Sequence, residues 1–544
     1  MLKKNDIVKL EITGFTNEGN GIGRAGGITV FVPFTAVGDV ISCRIVKVKK
    51  TYCYGIIDEI IIPSESRCDP ECDLYGKCGG CCFRHVTYAA ELAEKEKFVY
   101  DAFTRIGKLE PKFEPIIGSE SGERYRNKAQ FPISQDENGK LYSGFYAKRS
   151  HRPVRMTDCR LVPEIFNEIA RSVINYANGR SINAYDEETG KGLMRHIFIR
   201  RGAHSGEIML AIVVTDIASA KLFDGMTADI TREFPEIRSI IINENPQRTN
   251  VILGKNSKVI FGSEVIYDTM CGNRIAISLH SFYQINTLQA EKLYSKAAEY
   301  ADLTGEETLL DLYCGAGTIG LSMAGKVKKL IGVEIVESAV SDARKNAAEN
   351  GIENAEFLCS DAGKAALELY GRGITPDVII ADPARKGCTT DTLEFMARMN
   401  PERIVMISCN PATAARDCAI LEGYGYRAVK CAAVDMFPRT GHVETVVLLS
   451  REFANAKEHV YIDYELDSNA EFPSSVTYEE IKAWIQEEYG LKVSSLYIAQ
   501  VKKKHGIIER ECYNKPKSEG HRVPQCPPEK EAAIEAALKH FKMI

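Results

Sequence analysis

The chain has 544 residues, 44% of them hydrophobic, and a formal net charge of −5. That length suits roughly three or four domains of about 100–200 residues, and apolar runs such as Val378–Ala381 are far short of the roughly 20 residues a bilayer span needs. The charge excludes a protein that is basic throughout, so any nucleic-acid surface must be local; Met1-Leu-Lys-Lys-Asn5 leads into no apolar signal region, and a cytoplasmic protein is expected.

Residues 1–60 read as a small β-barrel. Val8-Lys-Leu-Glu-Ile12 alternates apolar and polar residues, and Ile28-Thr-Val-Phe-Val32 and Val40-Ile-Ser-Cys-Arg-Ile-Val46 are further strands. Glycines from Gly14 to Gly38 punctuate them. Such a barrel can present a face to oligonucleotides. Two basic stretches stand out, Arg44-Ile-Val-Lys-Val-Lys-Lys50 and Lys502-Lys-Lys504. Each reads equally well as a nucleic-acid contact or as a solvated face.

Residues 61–270 are expected to form a central domain. It opens with Cys68, Cys72, Cys78, Cys81 and Cys82, five of the chain's 17 cysteines in one short segment. In a cytosolic enzyme such clustering points to a metal or cluster, not to disulfides. A helix follows near Tyr88–Ile106, with Leu92, Val99, Phe103 and Ile106 on one face. Beyond residue 115 the domain is strand-rich, with strands at His196–Arg200, Ile208–Val214 and Ile237–Asn243.

Residues 271–450 change to alternating strands and helices. Leu309–Tyr313, Leu330–Glu334, Ala355–Cys359, Val378–Asp382, Ile404–Cys409 and Val443–Leu449 are short apolar strands. The pattern is that of a doubly wound, Rossmann-like sheet, so the chain as a whole is multidomain α/β. Residues 451–475 read as a polar joint. A small helical module over 476–544 opens with the capping box Thr477-Tyr-Glu-Glu480. Its first helix stops before Gly490, and a second runs from Ser494 or Ser495 to Lys504. A basic second helix resembles a helix-turn-helix in outline, although positive charge at a helix C-terminus also favours the helix dipole.

Three motifs carry chemistry. Asp311-Leu-Tyr-Cys-Gly-Ala-Gly-Thr318 lies between a strand and a helix, where Gly315 and Gly317 let the backbone turn tightly against a ligand. Glu334 ends the next strand, placed to accept from ribose hydroxyls. With Gly320 the loop is a literal G-x-G-x-x-G, so taken alone it suits a dinucleotide or S-adenosylmethionine. Ser408-Cys-Asn-Pro411 places Cys409 at a strand's carboxyl end, where ligands of open α/β sheets sit. Gly441-His-Val-Glu444 supplies a carboxylate at the start of another strand. In isolation Cys409 reads as a structural thiol and Glu444 as a surface charge; together they suit a thiolate nucleophile and a proton acceptor.

Those motifs, with Ser281-Phe-Tyr-Gln-Ile-Asn286, Asp382-Pro-Ala-Arg-Lys-Gly387 and Asp435-Met-Phe-Pro-Arg-Thr-Gly-His-Val-Glu-Thr445, are similar in order and spacing to the RNA (uracil-5-)-methyltransferase family, especially its 23S rRNA branch. The likeness runs over roughly residues 1–450. It implies Cys409 as nucleophile and Glu444 as base, with Gln284, Tyr313, Glu334 and Asp382 as cofactor or pocket residues and S-adenosylmethionine as methyl donor. It implies that the barrel is a TRAM domain facing RNA. It also implies a 4Fe-4S cluster on Cys72, Cys78, Cys81 and Cys159, although four thiolates suit tetrahedral zinc as well. A radical enzyme's C-x3-C-x2-C fails because position 75 is Tyr75. Ala384 departs from the family, which usually has a second proline there. The substrate expected is structured RNA, most of all 23S rRNA; a tRNA uracil methyltransferase and a non-catalytic RNA-binding protein are the rivals.

Overall fold

The computed structural model describes residues 2–451, 478–505 and 526–541, divided into two compact units, 1–453 and 454–544. Among the described residues no helix is long and apolar enough to cross a membrane. The first unit begins with β1 (Ile7–Glu11), β2 (Gly14–Phe15), β3 (Asn20–Ala25), β4 (Ile28–Pro33), β5 (Val40–Val48) and β6 (Tyr52–Ile62). They form one sheet in the order β1-β5-β6-β4-β3-β2. Period-two alternation sends Leu10, Val30, Val32, Ile41, Cys43, Ile45 and Cys53 into a common core.

The cysteine segment is largely irregular, touching regular structure through the bridges Arg67↔Val86 and Cys78↔Ala147. Thr87 caps α1 (Tyr88–Asp101) by accepting from the Ala90 amide. The expected helix does not continue as α to Ile106; Ala102–Gly107 widens into a π-turn that ends on left-handed Lys108. Next comes β7 (Lys112–Ile117). Then β8 (Lys128–Gln135), β9 (Leu141–Tyr146), β10 (Pro153–Arg155), α2 (Glu164–Asn178), β11 (Met194–Arg201), β12 (Ile208–Val214), α3 (Asp224–Glu233), β13 (Ile237–Glu244) and β14 (Asn256–Gly262) build the centre. Their sheet runs β10-β9-β8-β11-β12-β13-β14. Every residue of β12 is buried, which is why its sequence is a continuous apolar run.

A hairpin of β15 (Val265–Met270) and β16 (Asn273–Ser278) leads to α4 (Thr287–Ala301). Then follow β17 (Thr308–Leu312), α5 (Thr318–Met323), β18 (Lys329–Glu334), α6 (Glu337–Glu349), β19 (Ala355–Cys359), α7 (Ala362–Gly371), β20 (Val378–Ala381), α8 (Thr390–Arg398), β21 (Arg403–Ser408), α9 (Pro411–Glu422), β22 (Tyr426–Val434) and β23 (Glu444–Arg451). The eight-stranded sheet has the order β19-β18-β17-β20-β21-β23-β22-β7. Its outermost strand, β7, comes from the stretch that sequence placed in the central domain: it pairs in parallel with β22, and Val99 and Phe103 pack into the core on one face of this sheet. Five strands, β17 to β21, are parallel; β23 runs antiparallel to β21 with Ser408 opposite Thr445. That register brings the end of β21 and the start of β23 to one edge, so Cys409 and Glu444 become neighbours from strands of opposite direction.

In the second unit α10 (Tyr478–Tyr489), α11 (Ser495–Lys504) and α12 (Pro528–His540) close on Ile481, Ile485, Ile498, Val501, Ile534 and Leu538. Gly490, at φ 65°, ends α10 with its amide on the Gln486 carbonyl. The expected joint and Thr477 lie outside the described residues. The third helix, which sequence did not anticipate, changes the meaning of the basic stretch: Lys504 pairs with Glu531, His505 lies 2.9 Å from Glu535, and Lys502 is buried.

Candidate active site

The loop after β17 turns through three left-handed residues, Tyr313 (φ 67°), Gly315 (φ 56°) and Gly317 (φ 82°). A side chain on Gly315 would meet nothing within 4 Å, so this stretch of backbone faces open space. Glu334 braces the loop: one carboxylate oxygen accepts from the Gly315 amide at 3.1 Å and the other from Val336 at 2.9 Å. Asp311 is fully buried; one oxygen takes the Gly320 amide at 2.9 Å, and the other has no partner among the described residues. Burial lifts Asp311 to about 7, with Asp382 and Glu334 adding repulsion, and burial lifts Asp382 to about 6. Gln284 bonds Tyr294, whose hydroxyl lies 3.2 Å from Thr318 at the start of α5. The Tyr313 hydroxyl turns to Cys388 and Thr392. The open Gly315 backbone, the carboxylate at the end of β18 and the orphaned Asp311 oxygen fit the adenosine and amino-acid ends of S-adenosylmethionine.

Cys409 follows β21 directly, and Asn410 caps α9 through the Ala412 amide at 3.1 Å. Burial and the neighbouring Glu444 raise the Cys409 thiol, while the positive charge of Arg385 opposes them. Glu444 is 7% exposed. Burial pushes it up to about 8, Asp382 adds to the rise, and Arg385 works against it. Arg385 also lies 3.1 Å from His442; burial, with Arg385 second, pushes that imidazole down to about 4. At neutral pH the pocket therefore holds a thiol, a protonated carboxyl and a neutral imidazole around one guanidinium. Arg385 is the residue sequence reasoning missed, although it stands inside the quoted Asp382-Pro-Ala-Arg motif.

Cys409, Arg385 and His442 open onto a cavity of about 620 Å³, and Glu444 lies buried just behind its wall, next in the chain to the lining residue Val443. Its walls come from every part of the first unit: Asn17 and Glu18 of the barrel, Gly79 to Cys82 of the cysteine segment, Arg126 and Lys148 of the central region, and Arg385, Cys409 and His442. The volume suits a nucleotide, and three of the wall residues are cations matched to phosphate. A side chain on Gly441 would strike the Asn17 carbonyl at 1.7 Å, so only glycine lets the barrel come this close.

The loop from Asp435 to Val443, which delivers Glu444, is held by buried charge. Lys95 is 0% exposed and donates to Glu91 and Asp435 at 2.7 Å each and to the Phe437 carbonyl at 3.1 Å. Glu91 also accepts the Arg439 amide, and Tyr88 donates to Asp435. The Arg439 carbonyl accepts the amides of Cys82 and Phe83, and Tyr125 donates to the Pro438 carbonyl. The i,i+4 spacing of Glu91 and Lys95 was the one sequence signal for this network.

Cys72, Cys78, Cys81 and Cys159 together line a second cavity, of about 230 Å³. Cys68 is directed to the Arg84 carbonyl instead, and Cys82 lines the larger cavity. Burial raises the thiols of Cys78 and Cys81 and lifts Cys159 to about 11, with the other cysteines of the group adding to each rise. The charge of Arg84 works against the rise at Cys81, and Arg84, Arg126, Lys128 and Arg160 all reach this cavity. Among the described residues no three His, Cys, Asp or Glu side chains are grouped tightly enough to hold a single metal ion. Gly80, Cys81 and Arg126 belong to the walls of both cavities.

The profile of the tRNA (Uracil-5-)-methyltransferase family matches residues 251–452, and that of the TRAM domain matches residues 2–57. An uncharacterized RNA methyltransferase of Clostridium tetani is 42% identical over 449 residues, which are 82% of this chain and 97% of the relative. The chain belongs to the RNA uracil-5-methyltransferase family. An uncharacterized RNA methyltransferase of Halalkalibacterium halodurans, also 42% identical, matches over 82% of this chain and 98% of its own. The solved tRNA (uracil-54, C5)-methyltransferase of Pyrococcus abyssi, in complex with S-adenosyl-L-homocysteine, superposes with a TM-score of 0.65 at 26% identity, over 81% of this chain and all of that one. This RNA uracil-5-methyltransferase is S-adenosylmethionine-dependent, and its barrel is a TRAM domain.

Proposed function

We propose that the enzyme methylates C5 of a uridine in 23S rRNA, with Cys409 as nucleophile and Glu444 as base. The observation that carries the mechanism is the meeting of Cys409 and Glu444 across antiparallel β21 and β23, with Cys409 in the wall of a cavity of nucleotide size. S-adenosylmethionine, when bound at the β17 loop with Glu334, Asp382 and Gln284 beside it, supplies the methyl group as a sulfonium. Cys409 gives its proton to solvent and adds as the thiolate to uracil C6, the electron pair moving onto C5 and O4. Arg385 stabilises the thiolate. C5 takes the methyl group, and S-adenosylhomocysteine leaves. Glu444, as carboxylate, takes the C5 proton; the C5–C6 double bond re-forms and the thiolate departs.

The same reading gives Cys72, Cys78, Cys81 and Cys159 to a 4Fe-4S cluster. The four cysteines line one cavity of about 230 Å³, which favours a multi-atom group over a single zinc, whose thiolates would close to about 2.3 Å from one point. Arg84, Lys128 and Arg160 suit the negative charge of a cluster held by four thiolates. Its role is architectural, since methyl transfer moves no net electron. The functional divisions are the barrel (1–60), the cysteine and central region (61–270), the methyltransferase domain (271–450) and the helical module (476–544), in a cytoplasmic enzyme; α1 and β7 serve the methyltransferase sheet.

The rRNA substrate is favoured by the barrel and cysteine segment, which both line the target cavity. The tRNA reading is favoured by the full-length likeness to the Pyrococcus abyssi enzyme. Mapping 5-methyluridine in 23S rRNA and tRNA, from cells with and without the gene, decides between them. Loss of an rRNA site is expected; loss from tRNA alone overturns the assignment.

A further inference from the structure

We infer that the outer face of the barrel is a stacking platform for unpaired bases of the RNA, separate from the pocket that receives the target uridine. The inference rests on the RNA-methyltransferase reading and adds to it the place and the chemical class of a second contact.

Strands β4 and β6 lie parallel with Thr29 opposite Tyr52, Val30 opposite Cys53 and Phe31 opposite Tyr54. Because side chains alternate, Val30 and Cys53 point inward and are fully buried. Phe31, Tyr52 and Tyr54 take the opposite face, partly exposed and outside the barrel's core. Their rings form a triangle with centroids 5.5, 5.8 and 5.6 Å apart. The three rings pack against one another outside the core, whose eight buried residues form a cluster without them.

The charge around the triangle identifies its occupant. On β5, Lys47 stands opposite Tyr54, and Lys49 takes the Tyr52 carbonyl through its backbone amide at 2.9 Å. On β3, Arg24 stands opposite Thr29. Arg24, Lys47, Lys49 and Lys50 are exposed, and none is in an ion pair among the described residues, whereas nearby Arg44 is paired with Asp58. Aromatic faces between two margins of uncompensated cations match a strand with bases to stack and phosphates to neutralise. Paired A-form RNA hides its base faces, so the occupant is single-stranded. The barrel's Asn17 and Glu18 reach the target cavity, which keeps both contacts on one RNA.

The test uses the whole enzyme and a short fluorescein-labelled oligouridine, read by anisotropy. Y52A/Y54A should bind it roughly 5- to 150-fold more weakly, the range expected for losing stacked bases. Y52F/Y54F, which keeps the rings, should bind as the wild type does and shows that the hydroxyls are not the contact. An abasic oligomer of equal length should bind the wild type and Y52A/Y54A alike, because only bases stack. A folded Y52A/Y54A enzyme with unchanged oligouridine affinity overturns the platform, as does equal wild-type affinity for abasic and base-bearing strands; the second result needs no variant at all. Methyl transfer by the wild type to a uridine-containing RNA is followed separately. Its absence would sink the functional reading while leaving the stacking result to stand or fall alone.

Discussion

Two cysteine-lined cavities meet at Cys81, and they use the same atom for different ends. In the larger one Cys409 lies beside a guanidinium that favours its anion and a buried carboxyl that opposes it. In the smaller, four cysteines share the wall with the basic side chains of Arg84, Arg126, Lys128 and Arg160 and with Asp158. On the proposed reading, the first arrangement makes one sulfur a nucleophile that must leave again, and the second holds four sulfurs around a cluster. What separates them is the number and charge of the neighbours, not the residue type.

The contrast breaks most sharply at Cys409. Cys409→Ala should lower methyl transfer by at least about 10⁴-fold, the scale for removing a covalent nucleophile, while S-adenosylmethionine binding by calorimetry stays near wild type. Covalent trapping of 5-fluorouridine RNA by the variant would remove Cys409 from its role. Next, Glu444→Gln should slow turnover by about 10²–10⁴-fold and leave a gel-stable protein–RNA adduct. Because burial holds Glu444 at about 8, the wild-type rate should rise with pH up to that value as the carboxylate forms. The same raised value means that ionising Glu444 opposes folding, so the variant should gain thermal stability relative to wild type as pH rises from the ordinary carboxyl range through 8. Normal turnover by the variant would rule the base out.

On the cage side, anaerobically purified protein should be brown with about four irons per chain. Cys78→Ser and Cys159→Ser should bleach it and lower the melting temperature, with a smaller loss of transfer to a short RNA fragment than Cys409→Ala causes. Stoichiometric zinc without iron would reverse the assignment. The smallest effect belongs to the second unit. Lys504→Ala removes a solvent-screened ion pair with Glu531 and should leave rRNA affinity and its salt dependence unchanged. A flatter salt slope would show that Lys504 meets phosphate after all.

Short apolar strands such as Ala355–Cys359 and Ile208–Val214 were legible to the residue, and the glycine loop and the strands beside Cys409 and Glu444 were legible to within a residue or two at their ends. What sequence does not show is who stands across from whom. Lys112–Ile117 has no pattern marking it as the last strand of a sheet completed some 300 residues later. Lys95 reads as a solvated helix charge until Asp435 arrives from the far end of the chain. The two basic stretches look alike in one dimension; in three, Lys504 is answered by Glu531, whereas Lys47 and Lys49 have no ion-pair partner among the described residues. Cys159 joined its group by resemblance alone, since a gap of 78 residues from Cys81 carries no spacing signal.

The loop that ends at Glu444 is seated by Asn17, Cys82, Phe83, Glu91, Lys95 and Tyr125. Each of these precedes the loop in the chain, so each leaves the ribosome earlier. Yet α1, which carries Glu91 and Lys95, packs on the sheet that β7 and β22 complete, so seat and loop take shape together. The placing of Glu444 is therefore a cooperative property of the first unit as a whole and not of its last strands.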